Sequence, residues 1–247
     1  MARAGLGLAG MQLLGSLIFT SFLFVWTGLY AIFFAFAAAL SPYEKRFALT
    51  RGWAVVLLWV LKRTCRLDYR VEGRENLPSG CHVALVKHSS SWETFAQIVL
   101  LPPQAWVLKR ELTWIPFIGW GVRLLRAIAI DRGSGHVAVN SVLEQGKRRL
   151  AEGLWVVIFP EGTRMPPGQT RKYGISGALL AVEAGCLVVP VAHDAGYYWP
   201  RRGFFKKPGT IRVRIGPPIA TAGRDPRQIN AEAQRWIEMN SMPDPQN

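Results

Sequence analysis

From Leu17 to Leu40 the chain reads LIFTSFLFVWTGLYAIFFAFAAAL, an apolar run with no proline. At roughly 1.5 Å per residue such a run is long enough to cross about 30 Å of hydrocarbon as a helix. A shorter patch, Gly52–Leu61 (GWAVVLLWVL), lies between Arg51 and the pair Lys62 and Arg63. It is too short to span. It either lies in the interface or packs back on the first helix as a hairpin dipping into one leaflet. Beyond residue 65 the pattern changes. Short apolar runs bounded by turn residues predict strands at Leu67–Val71, His82–Val86, Ala105–Leu108, Ala127–Ile130, Trp155–Phe159, Leu187–Val191 and Ile211–Ile215. Segments of 3.6 periodicity predict helices at Trp92–Leu101, Ile115–Leu125, Val137–Ala151, Ile175–Ala184 and Arg227–Asn240. Strands alternating with helices, the strands apolar throughout, imply an α/β domain. Its central sheet is largely parallel (mixed), of about seven strands, with helices on both faces. We therefore expect a membrane-embedded helical segment over residues 1–64 and one globular domain over residues 65–247.

Charge sharpens this division. Arg3 is the only charged residue before Glu44, whereas the globular part is charged at an ordinary density. Disorder, a coiled coil, a disulfide scaffold and a polytopic membrane protein are excluded on composition. Lys45, Arg46 and Arg51 follow the apolar run, so the positive-inside rule places the domain in the cytoplasm. The Ala37-Ala38-Ala39 triplet resembles a signal-peptide cleavage site, but the run exceeds the about 7–15 residues of a signal h-region. The net charge of +14 favours anionic partners. Cys65, Cys81 and Cys186 show no CxxC spacing and the four histidines no HExxH, so no metal site is expected. There is no nucleic-acid-binding module, P-loop, GxGxxG or GxSxG elbow.

Candidate chemistry falls in loops that follow strands, where ligands of parallel sheets gather. One residue beyond HVALV begins His88-Ser89-Ser90-Ser91-Trp92-Glu93. A carboxylate five residues after a histidine can hold one ring N–H, fix the tautomer and leave the other nitrogen as a general base. The same residues form a capping box, with Ser90 as N-cap and Glu93 at N3, which needs no chemistry. After WVVIF comes Pro160-Glu161-Gly162-Thr163-Arg164. Gly162 lets a ligand approach the backbone, and Arg164 offers a bidentate fork for an anion. Glu161 suits a substrate hydroxyl, or the orientation of Arg164. As a turn alone the segment needs none of these roles. The stretch Lys109–Leu112, Pro116–Gly119 and Ile128–Arg132 reads equally as a helix with an apolar face and solvated ends.

In this order, the His88-x4-Glu93 block, KRELTWIPFIGWG ending in AIAIDR, FPEGTR and VVPV resemble the motifs of the glycerolipid acyltransferases, most closely the bacterial 1-acyl-glycerol-3-phosphate group. The resemblance covers about residues 65–216. Glu93 stands where the family usually has aspartate. The resemblance implies transfer of an acyl group from acyl-CoA or acyl-carrier protein to the sn-2 hydroxyl of lysophosphatidic acid, giving phosphatidic acid, with no cofactor beyond the thioester. It implies His88 as base and Glu93 as its orienter. Glu161, Gly162, Thr163 and Arg164 would hold glycerol phosphate, Arg132 would add phosphate charge, and Lys109 would stabilise the thioester oxyanion. Expected partners are the two substrates and the bilayer, with no nucleic acid. Acylation of a lyso-ornithine lipid or lysophospholipid, and a non-catalytic lipid-binding adaptor, are the competing readings.

Overall fold

The computed structural model describes residues 2–131, 133 and 135–243, with side chains from residue 10 onward. Helices α1 (Ala2–Ala39) and α2 (Tyr43–Cys65) precede β1 (Leu67–Glu72), β2 (Val83–Val86), α3 (Glu93–Leu100), β3 (Gln104–Lys109), α4 (Ile118–Leu124) and β4 (Ile128–Ile130). There follow α5 (His136–Ala151), β5 (Trp155–Ile158), α6 (Ser176–Glu183), β6 (Val188–His193), the one-turn α7 (Ala195–Tyr198), β7 (Gly209–Ile215) and α8 (Pro226–Asn240). The strands form one sheet in the order β1-β7-β6-β2-β5-β3-β4. Strands β2 to β6 run parallel to one another; β7 is antiparallel to β6, and β1 follows β7. All seven expected strands are present, in a mixed sheet with helices on both faces.

Every side chain of β2 (VALV) and β5 (WVVI) is buried, because both faces of the sheet are covered. One face packs Ala84, Val86, Trp155 and Val157 against Leu57 and Leu61 of α2 and Phe95 and Ile98 of α3. The other packs Val83, Leu85, Val156 and Ile158 against Val142 of α5, Leu180 of α6 and Ile229 of α8.

The two N-terminal helices form an antiparallel hairpin. Gly15 faces Thr64, where an added Cβ would lie 2.2 Å from the carbonyl oxygen, so glycine permits the close approach. Farther along, the Tyr30 hydroxyl donates to the Leu49 carbonyl at 2.8 Å. The Gly52–Leu61 patch is the middle of the 23-residue α2, which opens with Glu44 and closes with Lys62 and Arg63, charges that suit its dipole. It packs back on α1 and buries Ala54, Leu57 and Leu61 in the sheet's own core, leaving Val55 and Trp59 exposed. Helix α1 is joined to the domain along its length. Ser16, Phe19, Phe34 and Ala38 are buried, and Phe19 meets Trp199 edge-on at 5.5 Å. Nearby, the Lys206 ammonium bonds the Thr20 hydroxyl beneath the Phe19, Trp199 and Phe204 rings. The outer side of α1 is apolar and bare, with Phe24 73% and Phe36 74% exposed. The stretch Gly10–Ala39 has the length and composition to cross a membrane.

Because Phe19 is fully buried between hairpin and domain, Phe19→Ala should destabilise the protein by about 3–5 kcal/mol. Guanidinium unfolding in detergent micelles checks this. An unchanged midpoint would mean that the hairpin is only tethered to the sheet.

Candidate active site

The parallel run of β2 to β6 brings the loops at their C-terminal ends to one edge of the sheet. Strand β2 stops at Val86, and Lys87 to Trp92 lead into α3. In this loop His88 Nδ1 lies 2.9 Å from Glu93 Oε1. Glu93 is 1% exposed and also accepts the Ser89 and Ser90 backbone N–H groups at 3.0 and 2.9 Å. Burial alone would raise its carboxyl. The hydrogen bond from His88, the neighbouring imidazoles and the Ser90 N–H outweigh that, and Glu93 lies below the usual carboxylate range. An ionised carboxylate only accepts, so His88 Nδ1 carries a proton, and in the neutral ring Nε2 is the nitrogen that holds the lone pair. The ring stacks on Phe159 at 4.3 Å, which fixes its plane.

The expected capping box, with Ser90 as N-cap and Glu93 at N3, does not form: α3 starts at Glu93, with Trp92 at its N-cap and no side-chain cap. Glu93 reaches back to the Ser90 N–H, whereas the Ser90 hydroxyl accepts from the Trp92 N–H at 3.1 Å rather than from Glu93. One carboxylate thus holds both the loop before α3 and the histidine. Beside it lies His193, at the end of β6, with Nε2 3.9 Å from Glu93 Oε2. The Ala195 N–H donates to His193 Nδ1, and His193 Nε2 donates to the Lys87 carbonyl at 2.9 Å. Burial lowers its pKa, so His193 is a neutral wall of the site.

The turn after β5 is laced to the His88 loop. Glu161 Oε1 accepts the His88 N–H at 3.2 Å, the Met165 N–H donates to the His88 carbonyl at 2.8 Å, and Arg164 Nη1 donates to the Ser91 hydroxyl at 2.8 Å. Gly162 turns the chain at φ +67°, a conformation suited to glycine. On one side of this edge is an apolar cavity of about 220 Å³ between α1, α2, α3 and α4. It is lined by Phe34, Trp53, Thr94, Ile98, Trp106 and Val122 among others. On the other, a cavity of about 350 Å³ is lined by Glu161, Gly162, Arg171 and Lys172.

A family model described as Acyltransferase matches residues 68–194, just over half of the chain. The chain belongs to the acyltransferase family. The 1-acyl-sn-glycerol-3-phosphate acyltransferase of Pseudomonas aeruginosa is 43% identical over 206 residues, 82% of this chain and 80% of its own. That of Saccharomyces cerevisiae is 30% identical over 71% of this chain and 59% of its own. The fold matches the crystal structure of the 1-acyl-sn-glycerophosphate (LPA) acyltransferase PlsC from Thermotoga maritima. The TM-score is 0.74, with 24% identity over 92% of this chain and 93% of that one.

Within this acyltransferase, the structure gathers His88, Glu93, Glu161 and Arg164 into one cluster, with Gly162 and Thr163 on the same turn as Glu161 and Arg164. Glu161 contacts Lys87 and the His88 backbone, and Arg164, whose orientation was one of two roles open to Glu161, donates to Ser91. Lys109 ends β3, two strands from β2, where it is exposed and paired with Glu111 at 2.6 Å. Arg132 lies outside the described residues. Among the described residues no cluster of His, Cys, Asp and Glu could hold a metal ion. Sequence reasoning missed Lys87, His193 and Glu238. The one available signal was a lysine closing an otherwise apolar strand, directly before His88.

Replacing Glu93 separates its two roles. Glu93→Gln keeps an acceptor for the backbone but removes the charge that favours the imidazolium, so kcat should fall roughly 10²-fold or more. The melting temperature should stay close to that of the wild type. His88→Ala should lower kcat by roughly 10²–10⁴. Normal turnover in both variants, measured as thiol release, would reduce the pair to a structural tie of the loop.

Proposed function

We propose that this acyltransferase moves a fatty acyl group from an acyl thioester, acyl-CoA or acyl-carrier protein, to the sn-2 hydroxyl of 1-acyl-glycerol-3-phosphate, yielding phosphatidic acid for phospholipid synthesis. The observation that carries the reading is the His88 imidazole, held through Nδ1 by buried Glu93, beside the turn that bears Arg164, with an apolar cavity beginning at the neighbouring Thr94. The name and the 43% identity of the Pseudomonas relative support the choice of acceptor.

The reaction needs little beyond these groups. A thioester is already activated, so the alcohol must be deprotonated and aligned. His88 Nε2 takes the hydroxyl proton as the oxygen attacks the thioester carbonyl, and Glu93 stabilises the imidazolium. The tetrahedral intermediate collapses to ester and thiolate, and the thiolate receives the proton from His88. Gly162, Thr163 and Arg164 meet the acceptor phosphate. The sn-2 hydroxyl of this acceptor is its one free hydroxyl and belongs to His88, so Glu161 acts chiefly behind the site, on the His88 N–H. Lys109, already paired at the rim, is a cation for an anionic substrate rather than an oxyanion donor. The apolar cavity beside Thr94 and Ile98 suits an alkyl chain. No cofactor is required besides the thioester.

The bare apolar side of α1 meets the bilayer, and the basic domain faces the cytoplasm at the inner membrane. There its charge draws in anionic lipid, lysophosphatidic acid and either thioester carrier.

Arg164 provides the test. Arg164→Ala removes a charge-assisted contact worth roughly 1.5–3 kcal/mol, so KM for lysophosphatidic acid should rise about tenfold to a hundredfold while donor KM holds. Steady-state kinetics in mixed micelles, run beside a lyso-ornithine lipid and a lysophospholipid, measure both. A raised donor KM alone would move Arg164 to the other substrate. Preference for another lysolipid would replace the acceptor.

A further inference from the structure

Lys87 follows the last residue of β2, yet its side chain is buried, 3% exposed, among charged groups the proposed chemistry does not use. Its ammonium lies 3.2 Å from Glu161 Oε1 and 2.7 Å from Glu238 Oε2, and donates to the Gln169 carbonyl at 3.3 Å. Glu238, on α8, is 151 residues away in sequence and also accepts from the Tyr173 and Thr170 hydroxyls, each at 2.8 Å. Glu161 Oε1 is the same atom that accepts the His88 N–H. A chain of contacts therefore runs from α8 through Lys87 and Glu161 to the backbone of the base.

We propose that Lys87 is a positioning residue: anchored to α8 by Glu238, it holds Glu161 as the ionised acceptor that fixes the His88 backbone. This rests on the reading of His88 as the base. A buried charge with one partner removed is costly, so the three groups stand or fall together. The groups facing Glu161 are Lys87 and His88 from the β2–α3 loop, Tyr173 before α6, and Glu238 on α8. Arg171 and Lys172 lie across the cavity, and Arg164 is on its own turn. Burial outweighs the opposing pull of Lys87 and leaves the Glu161 carboxyl raised, at about 7. The hold on His88 is thus present above that pH and lost as pH falls through it. Removing Lys87 moves the loss to higher pH.

The test is kinetic, on the full chain in micelles. Lys87→Met should lower kcat at pH 7 about tenfold to a hundredfold, with both KM values within about threefold. The acid limb of its kcat profile should move up by about one pH unit, and Lys87→Arg should restore the wild-type limb. Lys87 also faces His88 electrostatically, so the decisive reading is a double-mutant cycle. In a Glu161→Gln background, Lys87→Met should shift the limb by less than half as much, leaving only its direct effect on His88. A shift that keeps half its size or more there, or no shift in the single variant, overturns the proposal. If Lys87→Met does not fold, Lys87→Gln decides: it removes the same charge with a polar side chain and should move the limb up in the same way, and an unmoved limb overturns the proposal. A wild type that transfers no acyl group to any lysolipid would instead sink the acyltransfer reading, and this inference with it.

Discussion

Among the described residues no lysine or arginine side chain bonds Glu93, a carboxylate in the interior, and the site is organised around satisfying it. Leaving such a group unpaired would cost several kcal/mol. Here it collects the Ser89 and Ser90 N–H groups and the His88 ring N–H. Those donors converge only if β2 ends where it does and the chain turns sharply into α3. Gly196 allows this turn to pack tightly, since a Cβ there would lie 2.9 Å from the Ser89 side chain. The requirement that makes α3 start at Glu93 also presets the tautomer of the base. Stability and function share one interaction.

The sheet supplies the remaining geometry. Parallel strands deliver the ends of β2, β5 and β6 to one edge, so His88, Glu161 and His193 meet although the chain separates them by up to 105 residues. Helix α3 links this polar edge to the apolar hairpin. Glu93 faces the histidine, whereas Thr94 and Ile98 line the cavity shared with α1 and α2. Because Phe19 and Leu57 lie in the same core as Val157 and Phe95, the hairpin is part of the domain's packing. The surface that meets lipid is thereby held at a fixed offset from the base.

Much of this was legible in the sequence wherever the signal is local. Runs such as VALV and WVVI read as strands because both faces are covered, and the histidine and glutamate five residues apart were visible as a unit. The reversal of β1 and β7 was not legible, since periodicity carries no strand direction. Helix α4 begins at Ile118, later than its apolar period suggests. Pro116 and the positive φ of Phe117 interrupt the chain after a 3₁₀ turn at Arg110–Trp114. The Gly52–Leu61 patch was read as ten residues because its helix continues into polar flanks that periodicity discounts. The Lys87–Glu238 contact joins residues with no pattern between them, and only the fold reveals it.

The central claim is that Glu93 holds His88 as the neutral Nδ1–H tautomer with Nε2 free for the acceptor proton. ¹⁵N NMR of histidine-labelled protein at alkaline pH, with His88 assigned by its loss in His88→Gln, measures this directly. The account predicts a protonated, pyrrole-type Nδ1 and a bare, pyridine-type Nε2. A bare Nδ1 with the proton on Nε2 would contradict it, because that nitrogen could then take no proton from the alcohol.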